Sequence, residues 1–99
     1  MRPINVARLG KSRPVLVLTR ELVRPHLDTV TVAPVTTTIR GLSTEVLLDT
    51  DNGLQQRCVA ACDHITTIPA TALGAQIGRL LDHQETQLAR AINAAFDLD

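Results

Sequence analysis

Ninety-nine residues, 44% of them hydrophobic and 20% charged, suit one globular domain spanning residues 1–99. Phe96 is the only aromatic residue, so the core must be aliphatic, and the absence of any run of about 18 apolar residues excludes a membrane-spanning helix. Formal net charge is zero, but residues 1–40 carry seven Lys/Arg against two Asp/Glu, a balance of +5, and residues 41–99 carry three against eight, a balance of −5.

A surface built from the basic part would attract polyanions. Met1-Arg2-Pro3-Ile4-Asn5 opens no signal peptide, which predicts a soluble, cytoplasmic protein without a membrane partner. A chain this short leaves much of its surface in water, so a second copy is expected to add stability.

Ile4 to Leu9 predicts a short strand with Ile4, Val6 and the stem of Arg8 on one face. Gly10-Lys11-Ser12 superficially matches the end of a phosphate-binding P-loop, but Asn5 stands where the upstream glycine is needed and no helical pattern follows. Arg13-Pro14-Val15-Leu16-Val17-Leu18-Thr19 is a nearly continuous apolar run, which predicts a strand buried on both faces. Pro14 biases Arg13 toward an extended backbone, so its side chain is expected to project from a stiff strand start. Arg20 to Leu27 predicts a turn or two of helix limited by Pro25, with Leu22 and Val23 packing inward and His26 in the loop.

The stretch from Asp28 to Gly41 carries the strongest pattern. Thr29, Val30, Thr31 and Val32 alternate, which predicts a half-buried strand. Pro34 lacks an N–H, so pairing is expected to weaken there and the chain to emerge at the sheet edge as Thr36, Thr37 and Thr38, with Arg40 close behind. Hydroxyls, backbone N–H groups and a guanidinium gathered at a strand end suit a phosphate or another anion.

Thr44 to Leu48 predicts another strand, and Asp51-Asn52-Gly53 a tight turn. Leu54 to Ala61 and His64 to Ile68 read as two strands separated by Cys62-Asp63, Pro69 to Gly74 as one helical turn, and Gln76 to Leu81 as a last short strand. Asp82 followed by Glu85 is an aspartate variant of the capping box, and Leu88, Ala91, Ile92, Ala95 and Phe96 follow helical spacing, with the helix ending near Asp97 and Phe96 in the core. Cys58 and Cys62 would lie roughly 13 Å apart along a strand, too far to bridge. The spacing C-x3-C-x-His64 matches no zinc pattern, so both are expected to be buried, reduced thiols, and no metal or cofactor is expected. The predicted class is mostly β: a small antiparallel barrel with a C-terminal α-helix.

The order of these pieces is similar to that of the MazF/PemK family of toxins. The resemblance is carried by R-P-V-L-V at Arg13 to Val17, P-V-T-T at Pro34 to Thr37, E-V-L-L at Glu45 to Leu48, N-G-L at Asn52 to Leu54, V-x-x-C-D-x-I-x-T-I at Val59 to Ile68 and I-G-R-L at Ile77 to Leu80. It implies an SH3-like barrel, a homodimer and a metal-independent endoribonuclease that cuts single-stranded RNA at a short sequence, inhibiting translation and growth. It also implies a cognate antitoxin whose flexible tail blocks the site.

Arg13 and Thr36 match family positions and are the expected catalytic residues. RNA cleaves itself when its 2′-hydroxyl is deprotonated and attacks the adjacent phosphorus in line; the enzyme must stabilise the extra phosphoryl charge, a task for the always-charged guanidinium of Arg13. Thr36 would hydrogen-bond the same phosphate. Lys11, Ser12, Arg20, Arg24, Thr37, Thr38 and Arg40 are candidates for binding RNA, and base stacking is not expected with Phe96 in the core. Family members often carry a first-loop carboxylate, whereas here no Asp or Glu lies between Met1 and Arg20. The candidate bases are therefore His26, Glu21 and a group from the RNA or a partner subunit. The alternatives are a toxin on the same fold that binds a protein such as gyrase, and an inactive module that binds only RNA or antitoxin.

Overall fold

The computed structural model describes residues 2–98, so Met1 and Asp99 lie outside the described residues. Seven strands and one helix follow in order: β1 (Pro3–Leu9), β2 (Lys11–Val17), β3 (Thr29–Thr36), β4 (Glu45–Leu48), β5 (Cys58–Ala61), β6 (Thr66–Pro69), β7 (Leu73–Arg79) and α1 (Glu85–Ala95). All pairings are antiparallel, in the order β4-β5-β3-β2-β1-β7, with β6 also on β3, and the sheet curls into a half-barrel. The expected small antiparallel barrel with a closing helix is therefore present.

Strand β3 organises the sheet because its two edges are used differently. Along one edge Val32, Ala33 and Pro34 face Val17, Leu16 and Val15 of β2. The other edge is divided, with Thr29 to Val32 paired to β6 and Val35 and Thr36 paired to Ala60 and Val59 of β5. Thr31 directs its N–H to Thr19 Oγ1 at 2.8 Å, and its C=O accepts from Leu18 N–H at 2.8 Å. By alternation Pro34 turns its nitrogen to the opposite edge, into the gap between β6 and β5. The proline therefore removes no ladder bond. Pairing on that edge lapses at Pro34, as expected, but resumes beyond it: Thr36 is still held by β5, and only Thr37 and Thr38 of the three expected threonines lie past the strand.

The apolar run of β2 is buried on both faces. Leu16 joins Ile4, Ala33, Val35, Val46 and Leu48 under α1, while Val15 and Val17 join Ala7, Val30, Val32 and Ile68 on the other side. Strand β1 contributes to both clusters because alternation turns Ile4 and Ala7 to opposite faces, and the shifts in its pairing with β7, between Ile4 and Asn5 and again between Asn5 and Ala7, are taken up by extra residues of β7. The alternation expected for Ile4, Val6 and Arg8 holds, since they face Leu16, Pro14 and Ser12 in one unbroken register with β2. Cys58 and Cys62 are free and buried. Burial, aided by Asp63, raises the Cys62 thiol to about 11, and burial with Asp49 raises Cys58 as well.

Several expectations are corrected. The segment after β2 forms only the 3-10 turn Arg24–His26, too short to bring its flank onto the sheet, so Leu22 is 76% exposed rather than packed inward, and Val23 is exposed too. Only Cys58–Ala61 of the 54–61 stretch is a strand, and His64 lies in the 3-10 turn Cys62–His64 instead of opening β6. The turn Ala70–Ala72 is shorter than expected and β7 begins at Leu73. Phe96 is 56% exposed, because Leu88, Ala91, Ile92 and Ala95 already complete the apolar stripe and the helix ends at Ala95.

The Asp82–Glu85 capping box does not form. Glu85 instead accepts from Arg2 Nε at 3.1 and 3.0 Å, and Arg2 also donates to Leu18 C=O at 2.6 Å, tying the chain start to the helix start. The cap is made by Gln84, whose Oε1 accepts Leu81 N–H at 2.9 Å. The same oxygen accepts from Asn52 Nδ2 at 2.6 Å, and Asn52 also donates to Arg79 C=O at 2.9 Å. Both amides are buried, so they form a latch between the 49–53 turn and the β7–α1 junction.

Two glycines make that latch possible. A Cβ on Gly53, whose φ is +88°, would stand 2.7 Å from Ile77 C=O, and one on Gly78 would collide with the Asn52 carbonyl oxygen. Gly78→Ala is expected to lower folding stability by about 2–3 kcal/mol through overpacking against rigid backbone. Gly10→Ala, with nothing within 4 Å and only a φ of +87° to oppose it, should cost about 1 kcal/mol. Urea midpoints at unchanged m compare the two. The buried thiols give a second expectation: native protein should resist alkylation at pH 8 and react fully in urea. Because burial favours the neutral thiol, the stability this contributes is whole below the unfolded thiol range of about 8.5 and declines as pH rises toward 11.

Candidate active site

The β2–β3 register places the two leading candidates side by side. Val15 faces Pro34 and Leu16 faces Ala33, so continuing the antiparallel register by two residues sets Arg13 level with Thr36. Both line one cleft of about 290 Å3. Arg13 belongs to β2, where it faces Ala7 of β1, and Thr36 is the final residue of β3, locked to Val59 of β5. Each functional group thus sits on a held backbone.

The loop after β3 supplies the next part of the wall. Thr38 N–H donates to Thr36 Oγ1 at 3.2 Å, which turns the chain back over the strand end and leaves the Thr36 hydroxyl hydrogen available to donate. Glu45, at the start of β4, draws the loop in: its carboxylate accepts Arg40 N–H at 3.2 and 3.3 Å and Leu42 N–H at 3.1 Å. Thr38, Arg40 and Glu45 all line the cleft, and Pro34 and Ala61 form its apolar floor. Asp63 and His64 complete it from the 3-10 turn that follows β5.

Two guanidiniums, two carboxylates and an imidazole therefore converge with two threonine hydroxyls. Among the described residues Arg13 and Arg40 make no ion pair, although Glu45 and Asp63 line the same cleft. This arrangement can bind a phosphodiester: the hydroxyls and guanidiniums donate, and the acidic groups and imidazole offer places for a proton.

Not every candidate residue lies here. Arg13, Thr36, Thr38 and Arg40 are brought together, whereas Thr37 is exposed beside them and does not line the cleft. Lys11 and Ser12 are exposed at the start of β2, and alternation puts Lys11 on the same face as Arg13. Arg24 lines a hollow of about 340 Å3 with Glu21, Pro25 and Val30, and Arg20 lies in a third with Arg2, Thr19 and Glu85. The 340 Å3 hollow is the larger one, but its wall is mainly apolar and lacks a convergent donor set. His26 and Glu21, the candidate bases, are also away from the Arg13 cleft.

Glu45, Asp63 and His64 were missed as site residues. Glu45 and Asp63 stood inside the E-V-L-L and C-D segments that carried the family resemblance, but only the pairing of Glu45 with Ala61 brings those segments to one place.

Comparison with known proteins agrees with this architecture. Residues 3–96 match the family described as PemK-like, MazF-like toxin of type II toxin-antitoxin system. The chain is 64% identical over 99 residues to Endoribonuclease MazF3 of Mycobacterium tuberculosis, covering all of this chain and 96% of that protein. It is 36% identical to the Probable endoribonuclease MazF5 of the same organism, covering 94% and 85%. The solved structure of Mycobacterium tuberculosis toxin MazF-mt6 superposes with a TM-score of 0.96 at 63% identity, over 99% of both chains. A mycobacterial endoribonuclease in complex with its cognate antitoxin shares the fold at 22% identity, with a TM-score of 0.86 over 98% and 93%. With its family segments in order and its fold superposing on these toxins, the chain belongs to the PemK-like, MazF-like toxins of type II toxin–antitoxin systems.

Proposed function

We propose that this endoribonuclease toxin cuts single-stranded RNA at a short sequence in the cleft around Arg13 and Thr36, using no metal ion, and thereby stops translation and growth. The observation that carries this reading is the convergence of Arg13, Thr36, Thr38 and Arg40 in one cleft. The endoribonuclease names of the relatives favour cleavage over the alternatives that only bind protein or RNA.

The chemistry follows from the groups present. A bridging phosphate bound by Arg13 and Thr36 is held with its phosphorus near the ribose 2′-oxygen. Arg13 stabilises the charge that grows on the non-bridging oxygens, as a guanidinium can contact two oxygens at once. Thr36 donates its hydroxyl to the same group. Arg40 and Thr38 extend the contact along the backbone, with Lys11 following on the Arg13 face. Arg20, Arg24, Ser12 and Thr37 lie outside the cleft and serve flanking RNA.

The protein acts as a homodimer in the cytoplasm, as one toxin domain, and a cognate antitoxin covers the cleft. Exposed Leu22, Phe96 and Leu98 support a partner that covers apolar surface, and no helix of the described residues is long and apolar enough to cross a membrane. The two free guanidiniums support an acidic blocking segment.

In excess chelator, purified protein is expected to make discrete cuts in a long unstructured RNA. Arg13→Ala should lower kcat/KM by about 10²- to 10³-fold, and Thr36→Val by about 10-fold, the loss of one hydrogen bond to a charged group. Mapping the new ends checks both variants, and uniform cutting by wild type and Arg13→Ala would remove the cleft from the mechanism. Binding should weaken with salt at a log–log slope of about −0.7 per neutralised phosphate.

A further inference from the structure

The reaction needs a proton acceptor for the 2′-hydroxyl, and the first loop, Gly10-Lys11-Ser12, carries no carboxylate. Three side chains in the cleft accept protons: Glu45, Asp63 and His64. Glu45 is committed elsewhere, since its carboxylate is occupied by the N–H groups of Arg40 and Leu42 that shape the loop. Asp63 lies beside His64, with Oδ2 3.6 Å from the imidazole Nε2. That contact engages Nε2 and not Nδ1.

We propose that His64 is the general base of this chain, taking the 2′-hydroxyl proton of RNA bound in the Arg13–Thr36 cleft. The proposal rests on the reading that RNA is cut in that cleft. An imidazole is the side-chain class best matched to proton transfer near neutral pH, closer to the operating pH than an ordinary carboxylate. The side chain of His64 is 62% exposed, so an extended RNA can reach it without the protein opening.

The groups facing it are Asp63 of its own turn, Glu45 of β4, Arg13 of β2 and Arg40 of the loop, together with the uncharged Thr36 and Thr38. In the step itself the 2′-oxygen gives its proton to Nδ1 and forms the new O–P bond. The P–O5′ bond breaks, its electron pair leaves on the 5′-oxygen, and that oxygen takes a proton from water. The products are a 2′,3′-cyclic phosphate and a 5′-hydroxyl, and the imidazolium returns its proton to solvent.

Single-turnover cleavage of one RNA is measured from pH 5 to 9 for the full-length wild type, His64→Ala and Arg13→Ala. A general base must be neutral, so the wild-type rate rises with pH and then levels. His64→Ala is expected to cleave about 10²-fold more slowly, to lose that bend, and to regain about tenfold or more on addition of free imidazole, a rescue that a merely structural histidine would not show. Cleavage within about threefold of wild type, or a slow variant that keeps the bend and ignores imidazole, overturns the assignment while the Arg13 loss leaves the cleft intact. If Arg13→Ala cuts like wild type, the cleft reading fails and the His64 assignment fails with it.

Discussion

The divided edge of β3 sets the geometry on which everything else in this toxin depends. One edge of the strand runs against β2 and the other is shared between β6 and β5. A strand with a gap in one ladder would ordinarily waste an N–H, and the gap is filled by Pro34, which has none to waste. Past the gap, β5 takes over and holds the strand to its last residue, so Thr36 is fixed at the point where the chain leaves the sheet. The same register sets Arg13 level with it. A cation and a hydroxyl from residues 23 positions apart, 36 minus 13, meet because of pairing in the strands between.

Charge is organised by this folding in a way composition alone misrepresents. Residues 1–40 are strongly basic and 41–99 strongly acidic, yet the fold mixes them at the places that matter. Arg2 is paired with Glu85, 83 positions along the chain. The cleft takes Arg13 and Arg40 from the basic part and Glu45, Asp63 and His64 from the acidic part. In the proposed reaction positive charge holds the phosphate, while acceptors for a proton come from the other part of the chain. A uniformly basic groove would hold RNA well but offer no group to deprotonate it.

A buried amide latch holds the turn after β4 to the β7–α1 junction. Asn52 and Gln84 satisfy each other and bond four backbone groups, those of Leu47, Asp49, Arg79 and Leu81, at a junction where an apolar pair would leave those groups unbonded. The Gly53 and Gly78 backbones approach too closely for any side chain. The N-G-L and I-G-R-L segments, which look like separate motifs in the sequence, are two halves of one contact. They serve the fold rather than the chemistry, since neither lines the Arg13 cleft.

Local pattern was enough for much of this. Alternation at Thr29 to Val32, the β-branched run at Val15 to Val17 and the helical stripe at Leu88 to Ala95 are properties of neighbouring residues, and each formed the element its period requires. The order of short family segments was enough to place the chain among the MazF-like toxins. Short 3-10 turns left the sequence pattern silent, because three residues are too few to show a period; that is why Leu22 was expected to pack inward and His64 to open a strand. The level of Arg13 with Thr36, the capture of the Arg40 loop by Glu45 and the entry of Asp63 and His64 into the same cleft depend on register between strands far apart in the chain. No residue's neighbours in sequence contain that register: it follows from which edges pair, and pairing is settled only when the whole sheet buries its two apolar faces at once.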